Sequence, residues 1–165
     1  MLYIVDMNVK YKKYIDYIVN DIEKPYLKSL EQYGLSEKEY PLILSKVFNQ
    51  PVTIKGNYVY DTNGNRIYRE NDTYGFWVKQ EYDTNGNIIY FEDSDGDWIK
   101  YEYDSSGKEI YYEDSDGYWT KREYDTIDNI IYIENSDGDW SKKEYDTNDN
   151  LIYHETSDGY ILDNR

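Results

Sequence analysis

The sequence contains no cysteine. This absence excludes a disulfide framework, thiolate chemistry and cysteine-ligated metal sites. The one histidine, His154, stands at a position that varies between sequence repeats, so it does not define a serine-histidine-aspartate set. No apolar run is long enough to cross a bilayer, and the N-terminus lacks the basic and apolar regions of a signal peptide. We therefore expect a cytoplasmic protein without cofactors.

The net charge of −16 is concentrated in one part of the sequence. Residues 1–50 contain seven acidic and seven basic residues, whereas residues 51–165 contain 27 acidic and 11 basic residues. This excess of negative charge disfavours direct binding of nucleic-acid phosphates. Its natural complement is a basic protein surface. We therefore expect a basic protein as partner, and neither a nucleic acid nor a membrane.

One pattern of about 21 residues recurs through the second part of the sequence. It reads Trp-x-Lys-x-Glu-Tyr-Asp-x-x-Gly-x-x-Ile-Tyr-x-Glu-x-Ser-Asp-Gly and is clearest in residues 97–117. The Tyr-Asp pair that opens its first turn has its aspartate at Asp61, Asp83, Asp104, Asp125 and Asp146. Such fixed-period similarity is typical of a repeat architecture.

Each repeat contains two turn signals. Asp-Gly pairs favour two-residue type I′ hairpins at Asp95-Gly96, Asp116-Gly117, Asp137-Gly138 and Asp158-Gly159. The Asp-x-x-Gly segments, as at Asp104–Gly107, favour three-residue loops with a left-handed glycine, which Asp128 and Asp149 replace in the last two copies. In the resulting register, Trp119 lies opposite Asp114 and Asp104 lies opposite Lys108.

Alternation along the strands assigns side chains to two faces of the sheet. One face is predicted to carry a tryptophan ladder, Trp77, Trp98, Trp119 and Trp140, with the columns Lys79, Lys100, Lys121, Lys142 and Glu81, Glu102, Glu123, Glu144 and Ile67, Ile89, Ile110, Ile131, Ile152. The other face is predicted to carry Tyr82, Tyr103, Tyr124 and Tyr145, with Tyr68, Tyr90, Tyr111, Tyr132, Tyr153 and Glu70, Glu92, Glu113, Glu134, Glu155. Neither face is apolar enough for a deep core, so cross-strand ladders should stabilise the sheet.

The first 50 residues have helical periodicity. Residues 8–23 place apolar side chains on one helical face, and a second helix is expected from Pro25 to Gly34. A third helix begins either at Ser36, with Glu39 completing a capping box, or near Pro41. The side chains expected to be buried are Leu27, Leu30, Leu42, Ile43, Val47 and Phe48.

The expected fold class is therefore α+β. Residues 1–50 form a helical region, and residues 51–165 form an extended, twisted antiparallel β-meander of five hairpin repeats with 10 or 11 strands. The first repeat is degenerate, because its leading strand, Val52–Tyr60, has Lys55 in place of tryptophan. We expect the helices to cover the first strands as a terminal cap. The alternative is that they form a docking element of their own.

The segments Tyr60–Tyr68 and Tyr82–Tyr90 both read Tyr-Asp-x-x-Gly-Asn-x-Ile-Tyr, which resembles the YD repeats of RHS-type proteins. The succession of hairpins is also similar to MORN-type repeats and to antitoxin-like repeat proteins. Copies of Trp-x-Lys-x-Glu-Tyr are similar to uncharacterised bacterial and phage proteins. The resemblance covers residues 52–163 and implies a β-meander without an enzymatic site.

The acidic segments also resemble two kinds of chemical site, a calcium loop and a catalytic carboxylate pair. Residues 93–97 read Asp-Ser-Asp-Gly-Asp, but their glycine stands at position 4, whereas a calcium loop of the EF-hand type needs it at position 6. Paired carboxylates recur in every repeat, whereas a catalytic pair needs one singular environment. We therefore expect no metal site and no enzyme, and keep a calcium-stabilised surface repeat as an alternative.

The acidic repeats lead to a hypothesis about function. Carboxylates at the Asp-Gly turns are expected to line one edge and bind a basic partner, and they comprise Asp93, Asp95, Asp97, Asp114, Asp116, Asp137, Asp139 and Asp158. A row of carboxylates can imitate phosphates, so the partner could be a nucleic-acid-binding host defence enzyme, such as a CRISPR effector, inhibited by a phage-type protein. One alternative is an antitoxin-like or structural repeat that docks through its helical end. Another is that the acidity serves only solubility and keeps the sheet edges unpaired.

Overall fold

The computed structural model describes residues 26–32, 35–71 and 75–165. Two helices precede the strands, α1 at Tyr26–Gln32 and α2 at Tyr40–Val47. The strands are β1 Thr53–Lys55, β2 Tyr58–Tyr60, β3 Arg66–Glu70, β4 Trp77–Tyr82, β5 Ile88–Asp93, β6 Trp98–Tyr103, β7 Glu109–Asp114, β8 Trp119–Tyr124, β9 Ile130–Asn135, β10 Trp140–Tyr145, β11 Leu151–Thr156 and β12 Ile161–Asp163. The helix expected over residues 8–23, and the expected helix boundaries Pro25 and Gly34, lie outside the described residues.

The twelve strands form an antiparallel sheet in which they follow one another in sequence order. The expected α+β meander is thus confirmed, with one strand more than the highest number expected. The leading strand expected at Val52–Tyr60 is in fact two strands, because Gly56, with a φ of +57°, reverses the chain between them. The pairing of Lys55 with Tyr58 makes this a two-residue hairpin turn.

The chain divides into two compact units, Met1–Tyr82 with Phe91–Gly96 and Asp83–Tyr90 with Asp97–Arg165. The first unit contains a hydrophobic core formed by both helices and the first strands. Its buried residues are Leu27, Leu30, Ile43, Leu44, Val52, Val59, Ile67, Tyr68 and Trp77. The helices therefore cover the first strands, as expected of a cap. In the second unit, by contrast, most strand residues are only partly buried.

Helix α2 follows the second of the two expected starts. It begins at Tyr40 with Pro41 in its first turn, where the missing N–H costs no hydrogen bond. The Ser36–Glu39 pair forms a separate turn before it, in which the carboxylate of Glu39 accepts from the Ser36 backbone and hydroxyl at 2.9 Å. Leu42, expected to be buried, is 44% exposed, and Leu44 is fully buried beside Ile43.

The Asp-Gly turns are not the expected type I′ hairpins. The backbone N–H of Asp114 donates to the carbonyl of Tyr118 at 3.0 Å, which leaves a three-residue loop of Ser115, Asp116 and Gly117. Type I′ geometry requires positive φ at both central residues, but only Gly117 has it, at +85°. Both turns of each repeat therefore belong to the same three-residue class.

This loop changes the register and the expected faces. Lys100 lies opposite Glu113, and Tyr111 lies opposite Lys121, while a bulge near Tyr103 leaves Ile110 as an extra residue in β7. The extra residue reverses the alternation along the rest of the strand. The expected tyrosine and glutamate columns of the return strands therefore share the tryptophan-lysine face, at Tyr68, Tyr111, Tyr132, Tyr153 and Glu70, Glu113, Glu134, Glu155.

Candidate interaction surfaces

The turns with the sequence Ser-Asp-Gly are organised by the residue that precedes them. The Oδ1 atom of Asp114 accepts from the backbone N–H groups of Asp116 and Tyr118, both at 3.1 Å. Asn135 makes the same two bonds to Asp137 and Asp139, at 3.0 and 3.1 Å. An acceptor oxygen, and not its charge, is therefore the feature that this turn position needs.

Hydrogen bonds also join successive Ser-Asp-Gly turns of the second unit. The backbone N–H of Ser115 donates to the carbonyl of Trp98 at 2.9 Å, and its hydroxyl donates to Asp97 at 3.4 Å. The Ser157 hydroxyl similarly donates to Asp139 at 3.3 Å. The structure thus brings these turns side by side along one edge of the second unit, which we call the tip edge.

The eight aspartates of the expected binding edge have different roles. Asp93 and Asp114 accept hydrogen bonds within their own turns, and Asp97 and Asp139 accept from a serine of the next turn. Asp158 accepts from the hydroxyl of Thr156 and the backbone of Tyr160. Among the described residues, no side-chain partner is found for the exposed carboxylates of Asp95, Asp116 and Asp137, which stand at the same place in three successive turns.

The aspartates of the Tyr-Asp pairs instead stabilise the loops at the other edge. The Oδ1 atom of Asp146 accepts from the backbone N–H groups of Asn148 and Asn150, both at 2.9 Å. Hydrogen bonds from the side chain and backbone of Asn150 lower the pKa of Asp146, and a hydrogen bond from the backbone of Lys108 does the same for Asp104. The carboxylates of these Tyr-Asp pairs are therefore engaged within the loops.

The tyrosines of the Tyr-Asp pairs bind the backbone of an earlier strand. Tyr82 donates to the carbonyl of Arg66 at 3.1 Å, Tyr103 to that of Ile88 at 3.0 Å, and Tyr124 to that of Glu109 at 2.9 Å. Tyr145 instead lines a groove in the second unit. The Tyr-Asp pair therefore acts structurally, with its tyrosine securing the preceding strand and its aspartate the following loop.

The first tryptophan of the ladder is buried, and the three that follow are partly exposed. Trp77 is buried and stacks on Tyr68 at a centroid distance of 6.4 Å. In the second unit, Lys100 lies over the ring of Trp98 at 4.6 Å and Lys121 over that of Trp119 at 4.9 Å. Trp140 is also partly buried. The lysines protect these rings from water by cation-π contacts.

A carboxylate of the first unit holds the start of helix α1. Glu70 is 6% exposed and accepts from the backbone N–H of Leu27 at 2.9 Å and of Lys28 at 2.7 Å. The hydroxyl of Tyr68 donates to Glu70 at 3.0 Å and accepts from the backbone of Tyr26 at 3.1 Å. Glu70 thus satisfies amide groups that the helix itself leaves free.

A groove of about 630 Å³ lies on the second unit. It is lined by Glu123, Asp125, Ile131, Tyr132, Lys142, Lys143, Glu144 and Tyr145. Tyr132 lies opposite Glu123 on one side and Lys142 on the other, so part of this groove belongs to the tryptophan-lysine face. Its lining combines an isoleucine and two tyrosines with three carboxylates and two lysines.

The described residues hold no group of three or more histidine, aspartate or glutamate side chains suited to bind a metal ion. The Oδ1 atoms of Asp93 and Asp114 accept from backbone N–H groups of their own turns. His154 lies 3.0 Å from the hydroxyl of Ser141, measured from its Nε2 atom. Within the described part of the chain, no helix is long and apolar enough to span a membrane.

Comparisons with known proteins give structural matches alone. No family model and no curated protein matches the sequence. The Photorhabdus luminescens Tc holotoxin pore matches with a TM-score of 0.45 at 15% identity over 67% of this chain. The crystal structure of TcdB2-TccC3-Cdc42 matches with a TM-score of 0.46 at 14% identity over 73% of this chain. The chain spans only 7% and 8% of those two chains.

Sequence reasoning located the tip edge but missed the groove and the role of Glu70. All five repeats have a glutamate at the position of Glu70, so the sequence does not distinguish Glu70 from the others. Only the packing of helix α1 gives Glu70 its capping role. The groove depends on the bulge, which places Ile131 and Tyr132 along one cavity although they are adjacent in sequence. The unequal spacing of successive turns, ten residues from Asp104 to Asp114 and eleven from Asp114 to Asp125, was the available signal.

Proposed function

We propose that the chain is a non-enzymatic interaction module that binds a basic protein through the tip edge. The observation that supports this function is the free state of the Asp116 and Asp137 carboxylates. The side chains of Asp114 and Asn135 accept hydrogen bonds within the same turns. The carboxylates of Asp116 and Asp137 are exposed and have no side-chain partner among the described residues. They are therefore the carboxylates best placed to pair with lysine or arginine of another protein.

The charge distribution supports the same proposal. Residues 51–165 hold 27 acidic against 11 basic residues, so the field around the repeats attracts basic proteins. In its finer form, we propose a cytoplasmic nucleic-acid-binding enzyme as the partner, with the aspartates occupying the site of its phosphates. A phage-encoded inhibitor of a host defence enzyme such as a CRISPR effector would fit this chemistry.

Two sets of two charge-removing substitutions in the second unit test the proposal. The first set changes Asp116 and Asp137 to Asn. The control set changes Asp104 and Asp146 to Asn, which removes the same charge from the other edge. The carboxylates of the first set have no described side-chain partner. Asn135 accepts two backbone hydrogen bonds in its own three-residue loop, as Asp146 does, so thermal melting should show both variants folded.

Each protein is then immobilised and exposed to a bacterial lysate at low and at high salt, with and without competing DNA. We expect capture of a basic nucleic-acid-binding protein that salt and DNA both reverse, because charge pairing is screened by ions. The first set should weaken capture about tenfold or more, and the control set much less. Equal losses would mean that only net charge is recognised. Capture insensitive to salt and to both sets would favour docking through the helical end.

A further inference from the structure

The docking of helix α1 shows how this repeat binds a helix. The first turn of the helix rests on the Tyr68–Glu70 pair through three backbone N–H groups, at 2.7 to 3.1 Å. Leu27 and Leu30 then enter the core beside Ile67 and Tyr68. The elements of this site are an isoleucine, a tyrosine and a glutamate at three fixed positions of the repeat.

The same three positions recur in the second unit as Ile131, Tyr132 and Glu134. The hydroxyl of Tyr132 donates to Glu134 at 3.0 Å, the distance found between Tyr68 and Glu70. Glu134 lies opposite Trp140 as Glu70 lies opposite Trp77. No described helix covers the second arrangement, and both Tyr132 and Glu134 remain partly exposed.

The other two copies in the second unit are already engaged. Glu113 lies 3.8 Å from the Nζ atom of Lys100. The guanidinium of Arg165 covers the ring of Tyr153 at 4.0 Å and is paired with Glu144 and Asp163. Lys121 lies opposite Glu134, and Lys142 lies opposite Tyr132. Among the described residues, however, neither forms an ion pair with Glu134 or covers the ring of Tyr132, and Tyr132 lines the groove.

One difference from the first site defines the partner. Val59, which is fully buried, lies opposite Tyr68, whereas Glu123 lies opposite Tyr132. A helix in the groove would therefore meet a carboxylate where α1 meets an apolar residue. Lys142 and Lys143 also line the groove, but neither forms an ion pair with Glu123 among the described residues. An occupant with a lysine or arginine at this place therefore binds better, because an unpaired carboxylate under a bound helix costs free energy.

We propose that the groove binds an amphipathic, basic α-helix of a partner protein. The N-terminal amides of that helix lie on Glu134, its aliphatic side chains pack on Ile131 and Tyr132, and a lysine or arginine pairs with Glu123. This site lies apart from the tip edge and shares with the proposed function only the basic character of the partner.

Synthetic helical peptides provide the probe. One peptide carries leucines at helical spacing and lysines beside them, and a second has the same composition in scrambled order. In protein labelled at isoleucine methyl groups, the amphipathic peptide should shift the NMR signal of Ile131 and spare that of Ile133. Ile133 is the matched control, because it lies opposite Arg122 and Ser141 on the other face of the sheet.

Variants then locate the contact. Glu134→Gln and Tyr132→Phe should each weaken binding of the amphipathic peptide about tenfold, since each alters the acceptor for the helix amides. Glu155→Gln is the matched control, because Arg165 already covers that copy, and it should change binding less than about twofold. Asp116→Asn with Asp137→Asn should also change it less than about twofold.

The outcomes separate the two proposals. Equal affinity for the scrambled peptide, or equal shifts at Ile131 and Ile133, would overturn the helix site. Weakening by the tip-edge variant alone would overturn it too, while leaving the proposed function intact. Binding that is lost with Glu134→Gln but unaffected at the tip edge supports the helix site, whatever the lysate experiment shows.

Discussion

The buried carboxylate of Glu70 accepts a hydrogen bond of 2.7 Å from the backbone N–H of Lys28, 42 residues earlier in the chain. A second bond, from Leu27, makes Glu70 the cap of a helix to which it does not belong. Capping residues are usually local in sequence. Here the sheet supplies the cap, so the start of the helix depends on the tertiary fold.

We expect Glu70→Gln to lower the free energy of unfolding by about 1–3 kcal/mol. The amide has one acceptor oxygen in place of two, so one buried N–H group loses its partner. Glu113→Gln is the matched control, because Glu113 is partly exposed and its distance to Lys100 is 3.8 Å, and it should cost less than about 1 kcal/mol. Denaturant unfolding measures both, and equal losses would contradict the capping role.

Replacing Thr120 by valine should stabilise the fold. It is 5% exposed, and among the described residues its hydroxyl is a buried side-chain group without a hydrogen-bond partner. Val78 and Ile99 occupy the same position of earlier repeats. Thr120→Val should therefore raise the free energy of unfolding by about 1 kcal/mol, since it removes an unsatisfied polar group and preserves the shape.

Thr126, which is exposed in a loop, provides the control for this change. Thr126→Val should alter stability by less than about 0.5 kcal/mol. Thermal melting and denaturant unfolding both report the difference. A loss of stability with Thr120→Val would mean that the hydroxyl has a partner that the geometry does not reveal.

Asp116 tests the geometry of the tip turns. In a type I′ turn this residue would have positive φ, and glycine would relieve strain there. In the three-residue loop its φ is not positive, so Asp116→Gly should cost about 0.5–1 kcal/mol through the entropy of the unfolded chain. Gly117→Ala should cost at least as much, because alanine disfavours the φ of +85°. A melting temperature raised by Asp116→Gly would restore the type I′ assignment.

Tyr112 should make the stability of the hairpin depend on alkaline pH. Burial raises its pKa to about 12 from an ordinary 10.0, and its hydrogen bond to Asp114 and the charge of Asp114 add to the effect. Because the folded-state pKa is the higher one, the contribution is complete below pH 10 and is lost as the pH rises through 12.

Carbon-13 NMR of labelled tyrosine can follow this titration directly. Asp114→Asn should bring the pKa of Tyr112 closer to its ordinary value, since it removes the neighbouring charge and keeps the turn acceptor. Tyr112→Phe should flatten the loss of stability between pH 10 and 12. Titration of Tyr112 at its ordinary pKa in the unmodified protein would contradict its burial against Asp114.

The repeat itself could be predicted from the sequence in some detail. The 21-residue period, the antiparallel meander, the left-handed residues at Gly107 and Asp128 and the covering of the first strands by helices follow from local turn chemistry and periodicity. These features depend on few residues at short separation. The acidic turns were located for the same reason, whereas their use in binding stays a prediction.

The register and the two candidate helix sites were decided by the tertiary structure. Asp-Gly and Asp-x-x-Gly signals overlap at Asp114–Gly117, and the difference of one residue between them moves Tyr111 and Glu113 to the opposite face. Local sequence cannot distinguish the two-residue loop from the three-residue loop, because both place Gly117 at a position with positive φ. Likewise, Glu70 and Glu134 stand at equivalent positions, and only the packing of a helix on the first unit makes one a buried cap and leaves the other beside an open groove.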